Sequence, residues 1–158
     1  MNYLKKNPLP PRSRVMEMGC GWGLLGIYCA KNFDARVTGT DADKNVFPFL
    51  HLHAEINGVK VKTEAARFEN LTVERLKKVD VLFGADVCFW DELTPVLFNL
   101  IKRARKAVVK KIIISDPSRS PFTELAKRCK DSYDDASVIA RSLVRPVRAT
   151  GELLIIEP

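Results

Sequence analysis

The sequence predicts an α/β protein: one open, mostly parallel seven-stranded sheet that ends in an antiparallel hairpin. Three observations predict it. Short runs rich in Val, Ile and Leu alternate with helical stretches of about 10–15 residues, the pattern of βαβ units. A glycine-rich turn joins the first run to the first helix. The last two runs are separated by a connection too short for a helix. A chain of 158 residues has the length of about one domain. At this size folding buries about 68–70% of the unfolded surface, so no metal or disulfide staple is needed. With 46% hydrophobic and 28% charged residues the chain is not disordered. Its apolar runs fall far short of the roughly 18 residues of a membrane span. No basic-then-apolar segment opens the chain, so no signal peptide is expected. A membrane protein, a fibre, a small secreted scaffold and a large multidomain enzyme are excluded.

Arg14–Met18 reads as a short buried strand and Leu24–Phe33 as the helix after it. Ala35–Thr40 is a second strand. Asp43–Asn57 is a second helix, with Asp43 as N-cap and Gly58 as its stop. Val61–Ala65 is a third strand and Val79–Ala85 a fourth. Glu92–Ala107 is a helix with Leu93, Val96, Leu97, Leu100, Ile101 and Ala104 at helical spacing. Lys111–Ser115 is a fifth strand and Pro121–Cys129 a helix. Ala136–Leu143 and Glu152–Ile156 are the final strands, which must pair antiparallel across an Arg-Pro-Val-Arg-Ala-Thr-Gly connection. Asn7–Pro11 (NPLPP) is neither helix nor central strand.

The net charge is +7, from 26 Lys and Arg against 19 Asp and Glu. Such a balance attracts anionic partners or simply keeps a protein soluble, and solubility is the simpler reading. The densest basic stretch is Lys102, Arg103, Arg105 and Lys106 with Lys110 and Lys111. It falls where a helix ends and a strand begins, away from the expected crevice, and cations suit a helix C-terminus. Arg141, Arg145 and Arg148 form a looser group without interleaved aromatics. Cys20, Cys29, Cys88 and Cys129 lack the spacing of a zinc site or redox pair. Buried free thiols in a reducing, cytoplasmic setting are expected, with no metal. His51 and His53 read as ordinary residues of the second helix, away from the expected crevice.

The first turn is Glu17-Met-Gly19-Cys-Gly21-Trp-Gly23-Leu-Leu-Gly26. Glycine there permits a tight turn and lets a ligand lie against the backbone. The following helix presents free N–H groups. Asp41, at the end of the second strand, can accept hydrogen bonds from both hydroxyls of a ribose. Two cofactor classes fit. Gly21-x-Gly23-x-x-Gly26 matches a dinucleotide fingerprint. Glu17 speaks against it, because an acid is unhelpful near a pyrophosphate. An acid suits S-adenosylmethionine, whose sulfonium and α-ammonium are cationic.

Glu17-x-Gly19-x-Gly21-x-Gly23 resembles the first motif of class I S-adenosylmethionine-dependent methyltransferases. The strand order with its terminal hairpin is similar to that Rossmann-like fold over nearly the whole chain. The resemblance implies that Glu17, Gly19, Cys20, Gly21 and Gly23 meet the cofactor's methionine part, with Ala85 beside them. It implies that Asp41 and Ala42 meet the ribose. The loop Ala66-Arg67-Phe68-Glu69 takes the place of the adenine clasp, with Phe68 as adenine contact or as plain core. A narrower likeness joins Asp86-Val-Cys-Phe89 to the Asp-x-x-Tyr motif of the seven-strand protein-lysine methyltransferases (family 16), with Phe89 in the Tyr place. Asp116-Pro117-Ser118-Arg119 is similar to their Asp-Pro-Gly-Arg segment, and the helix ending Asn57-Gly58-Val59 matches theirs. The family carries an additional segment ahead of the first strand, whereas about 13 residues precede Arg14 here. The expectation is a single methyltransferase domain that is trimmed in front or has an open substrate entrance.

Methyl transfer is an in-line displacement with a neutral leaving group, so alignment and exclusion of water matter most. Ligands of open α/β sheets bind outside the carboxyl ends of the strands. Asp86, Phe89 and Trp90 lie past the fourth strand, and Asp116 and Arg119 past the fifth. Asp86 would orient or deprotonate an amine, or else cap its turn. Phe89 and Trp90 would wall a cationic side chain, or else serve as hydrophobic cover. Arg119 would order its loop through Asp116. The expected activity is N-methylation of a protein lysine, giving S-adenosylhomocysteine. The alternatives are a small-molecule acceptor, a nucleic acid, an inactive cofactor-binding scaffold and an NAD-dependent oxidoreductase. No membrane partner is expected, and the oligomeric state is open.

Overall fold

The computed structural model describes residues 1–144 and 148–158. In chain order the elements are α1 (Asn2–Lys6), β1 (Arg14–Met18), α2 (Leu24–Phe33), β2 (Arg36–Asp41), α3 (Phe47–Ile56), β3 (Val61–Ala65), α4 (Val73–Leu76), β4 (Val81–Ala85), α5 (Leu93–Lys106), β5 (Lys111–Asp116), α6 (Ser120–Ser132), β6 (Ala136–Leu143) and β7 (Ala149–Ile156). The seven strands lie in the order β3-β2-β1-β4-β5-β7-β6. β7 runs antiparallel to both its neighbours, and every other pairing is parallel. This is the predicted sheet with its terminal hairpin. Among the described residues no helix is long and apolar enough to cross a membrane.

Strand alternation divides the core in two. Val15, Val37, Val61, Phe83 and Ile113 face α1, α2 and α3. Met16, Met18, Leu82, Ile112 and Ile114 face α4, α5 and α6. Both faces of the central strands are buried, so these strands read as continuous apolar runs. The strand order reverses between β1 and β4. In an open α/β sheet that reversal opens a crevice at the carboxyl ends.

Several boundaries differ from the sequence reading, for local reasons. The second helix begins as a 3₁₀ turn (Lys44–Val46), and α3 follows with Pro48 in its first turn. Proline lacks an N–H and is tolerated there. Asp43 does cap, but it caps the 3₁₀ turn, accepting from the Asn45 N–H at 2.9 Å. β4 starts at Val81 because Asp80 turns outward, its carboxylate held by the backbone N–H and guanidinium of Arg14 at 2.9 Å. That bond to Arg14 keeps Asp80 well below the usual carboxylate range. The short helices α1 and α4 carry too little periodicity to be read from sequence. β7 begins three residues before Glu152. Arg141, Ser142 and Leu143 pair with Gly151, Thr150 and Ala149 beyond Asp116, the last residue of β5. The hairpin therefore overshoots the sheet at its carboxyl edge. Arg145 lies outside the described residues.

Candidate active site

The glycine turn leaves β1 at the switch point. It is closed by the Gly23 N–H donating to Cys20 O at 2.7 Å, and tied to β2 by the Cys20 N–H donating to Thr40 O at 3.0 Å. Gly23 has φ +73°, and a Cβ there would lie 2.5 Å from Cγ of the buried Leu50. Gly21 has φ +49°, and a Cβ there would meet nothing within 4 Å. Gly23 is thus required by the protein's own packing, whereas Gly21 faces open space.

Two acids flank this turn. Glu17 is 4% exposed and accepts the Gly26 N–H at 2.8 Å, holding the start of α2. Burial pushes its carboxyl up to about 7 against the pull of the Gly26 and Leu25 N–H groups. Asp41 accepts from the Gly21 N–H at 2.9 Å and the Asp43 N–H at 3.0 Å. A carboxylate has about four lone-pair sites, so Asp41 keeps capacity for hydroxyl donors. A crevice of about 400 Å³ is lined by Glu17, Gly19, Cys20, Trp22 and Gly23 together with Ala85 and Ser115. The Phe68 ring closes on the same turn: its Cζ lies 3.6 Å from where a Gly19 Cβ would stand. It also packs on the core, as the second reading of Phe68 expects. Ala42 follows Asp41 and is exposed. These residues fit S-adenosylmethionine: the Glu17 carboxyl beside the expected ammonium, a carboxylate at Asp41 for ribose hydroxyls, and open space over Gly21, with Asp41 and Gly21 adjoining the crevice lining rather than forming part of it. A larger cleft of about 1240 Å³ is lined by the first residues of β1 and β2 with β3, α3 and α4, and contains none of the candidate residues.

On the other side, Asp86 leaves β4 with φ +59°, its N–H donating to Ser115 O at 2.8 Å. Asp116 ends β5 with its side chain fully buried. Arg119 joins the two. Its backbone N–H and Nη1 donate to Asp116 at 2.8 and 2.9 Å, and its Nη2 lies 2.5 Å from Asp86 Oδ1. The guanidinium also sits 4.6 Å from the centre of the Phe89 ring. This revises the proposed aromatic wall, because the cation over Phe89 belongs to the chain itself. Trp90 lies 5.7 Å from Phe89, centre to centre, and is 67% exposed.

Three further residues stand at the crevice or against one of its neighbours without having been expected there. Trp22 lines the crevice and stacks on Phe49 at 5.7 Å. His53, expected away from the crevice, stands edge-on to Trp22 at 5.7 Å, while His51 bonds Thr63 Oγ1 at 3.2 Å. Arg103, expected to be a solvated helix-end cation, donates to the carbonyls of Phe68 and Leu71 at 2.8 and 2.9 Å and so pins the Phe68 turn. Its neighbours are also engaged. Arg105 bonds Asp135 and covers Tyr133, Lys110 pairs with Asp80 and Lys111 with Glu157. All four cysteines are unpaired and buried, and burial pushes their thiols up to about 12. Among the described residues no cluster of His, Cys, Asp or Glu is arranged to hold a metal.

Known proteins place this geometry. The chain superposes on TrmN from Thermus thermophilus with a TM-score of 0.72 at 15% identity, covering 99% of this chain and 47% of that one. It superposes on precorrin-6y C5,15-methyltransferase from Geobacter metallireducens GS-15, also at 0.72, with 12% identity and 97% and 84% coverage. At such identities the likeness is one of fold. In sequence it is 30% identical over 127 residues to phosphoethanolamine N-methyltransferase 1 of Arabidopsis thaliana, 79% of this chain and 25% of that protein. It is 27% identical over 122 residues to the electron transfer flavoprotein beta subunit lysine methyltransferase of Xenopus laevis, 77% of this chain and 49% of that protein. The chain thus spans about a quarter of the first relative and half of the second. Residues 15–108, more than half of the chain, match the methyltransferase domain family. With its glycine turn at the switch point of a seven-stranded sheet closed by an antiparallel β7, the chain belongs to that family and has the class I methyltransferase fold.

Proposed function

We propose that this domain transfers the methyl group of S-adenosylmethionine to an amine nitrogen, the acceptor being a lysine side chain in a protein. The observation that carries the reading is Asp86. It directly follows Ala85, which lines the crevice, and its carboxylate is 59% exposed.

S-adenosylmethionine, when bound, supplies a methyl group on a sulfonium that is ready for displacement. Glu17, Gly19, Cys20, Gly21, Gly23 and Ala85 would hold its amino-acid end, Asp41 and Ala42 its ribose, and Phe68 its adenine. Asp86 would accept a hydrogen bond from the acceptor nitrogen and draw off its proton, directly or through water. Phe89 and Trp90 would exclude water from one side.

Local charge supports a cationic acceptor. The loop after β4 carries Asp86, Asp91 and Glu92, and the single cation of the loop after β5, Arg119, is paired with Asp86 and the buried Asp116. A phosphorylated amine would meet those carboxylates unfavourably. The similarity to phosphoethanolamine methyltransferases supports a second reading, a small amine, and the chemistry at nitrogen is common to both. The buried thiols fit a reducing compartment such as the cytoplasm.

The test is transfer of labelled methyl to lysine peptides, ethanolamine, phosphoethanolamine and an oligonucleotide. Lysine peptides should be methylated, and Asp86→Ala should lower kcat by about a hundredfold while leaving cofactor affinity intact. Preference for phosphoethanolamine selects the small-amine reading. Salt-dependent transfer to the oligonucleotide selects a nucleic-acid acceptor. Cofactor binding with no transfer to any of them identifies an inactive scaffold.

A further inference from the structure

We propose that Arg119 is the positioning residue of the acceptor side, acting through Asp86 and Phe89. The inference rests on the reading of Asp86 as the partner of the acceptor nitrogen. It starts from Asp116. That carboxylate is fully buried at the end of β5, and a buried charge must be paired. Arg119 pairs it twice, with its backbone N–H and its Nη1, so the guanidinium is fixed from its own strand end before it touches anything else. The turn that delivers it passes through Ser118 at φ +75°. Two functions of the guanidinium then remain. Nη2 holds Asp86 Oδ1, and the guanidinium carbon lies over the Phe89 ring.

Asp86 is otherwise poorly constrained. It sits in the left-handed region on an exposed turn, and its carboxylate has no other partner among the described residues. One oxygen is taken by Arg119, and the second is left for the acceptor. Arg119 therefore carries the rigidity of β5 across to the β4 loop and sets which carboxylate oxygen faces the nitrogen. A lysine at 119 would keep the charge beside Asp116. It could not bridge two carboxylates and cover an aromatic ring at once.

The test uses the full chain labelled with 5-fluorotryptophan. Its two tryptophans, Trp22 and Trp90, give one resonance each, assigned with Trp90→Phe. Arg119→Lys, which retains a partner for Asp116, should shift or broaden the Trp90 resonance and leave Trp22 unmoved. In Arg119→Ala, added guanidinium chloride at millimolar concentration should return Trp90 towards its wild-type position. With a lysine peptide as acceptor, Arg119→Lys should lower kcat by about tenfold or more while calorimetric affinity for S-adenosylmethionine stays unchanged. An unmoved Trp90 resonance, or an undiminished kcat, in Arg119→Lys overturns the proposal. If the wild-type protein methylates no amine, the acceptor reading fails, and the fluorine spectrum alone decides whether Arg119 holds the wall.

Discussion

The two sides of the crevice both need left-handed backbone, and they obtain it differently. On the cofactor side the positions are glycines, with φ of +60°, +49° and +73° at Gly19, Gly21 and Gly23. On the acceptor side they are Asp86 at +59° and Ser118 at +75°. A non-glycine residue in that region costs about 1–2 kcal/mol. On the glycine side the chain's own packing excludes a side chain at Gly19 and Gly23, where a Cβ would lie 2.9 Å from Val87 Cγ1 and 2.5 Å from Leu50 Cγ, and only Gly21 faces open space. The other side accepts strain at Asp86, whose side chain pairs with Arg119 and which the proposed function needs, and at Ser118, in the turn that delivers Arg119. Such strain persists only where the surroundings over-determine it. Here they do so through the Asp116–Arg119–Asp86 chain of bonds.

The comparison can be broken most severely at Gly23. Gly23→Ala places a methyl against buried Leu50 as well as straining φ, and should cost about 3–5 kcal/mol. Circular dichroism and urea unfolding should show a largely unfolded chain. Glu17 comes next. Its carboxyl is raised from 4.5 to about 7, so the folded state holds a proton that the unfolded state has lost. Stability in the absence of cofactor should fall as pH rises from about 4.5 to 7 and level off above, a total of about 3 kcal/mol. Glu17→Gln should abolish that slope, be more stable at pH about 8 than wild type, and bind S-adenosylmethionine more weakly. Urea titrations across pH, paired with calorimetry, would check both. A wild-type chain whose stability rises through that window would contradict the assignment.

Gly21→Ala sharpens the contrast with Gly23. It should cost about 1–2 kcal/mol of stability, because only φ is strained, yet it puts a methyl into the open space over the turn and should weaken cofactor binding. A folded variant with unchanged affinity would mean that the ligand does not approach Gly21. The smallest effect is expected at Ser118, where the family-like residue is glycine. Ser118→Gly should stabilise by up to about 1 kcal/mol, a rise in Tm of about 2–4 °C by calorimetry.

What was legible in the sequence depended on how local its cause was. The glycine turn and Asp41 could be read because the conformation of one segment and the end of one strand define them. Asp86 could be placed past β4 because ligands gather at carboxyl ends, whatever the details of packing. Arg103 could not be placed, since 35 residues separate it from the Phe68 carbonyl it holds. The contact of His53 with Trp22 could not be read because helical spacing says nothing about which neighbouring loop a face meets. The early start of β7 was missed because its added residues pair with β6 alone, beyond the end of β5.

The sequence by itself determined the strand order of elements, the buried central strands, the closing hairpin and the motif that marks the methyltransferase domain. Each follows from apolar periodicity, connection length or the φ requirements of single residues. Only the tertiary structure decided that Arg119 bridges Asp86 and Asp116 over Phe89, that Trp22 stacks on Phe49 beside the crevice, and that Glu17 is buried on the start of α2. Those pairings join segments far apart in the chain. Their geometry is set by how the strand ends converge, which no local preference encodes.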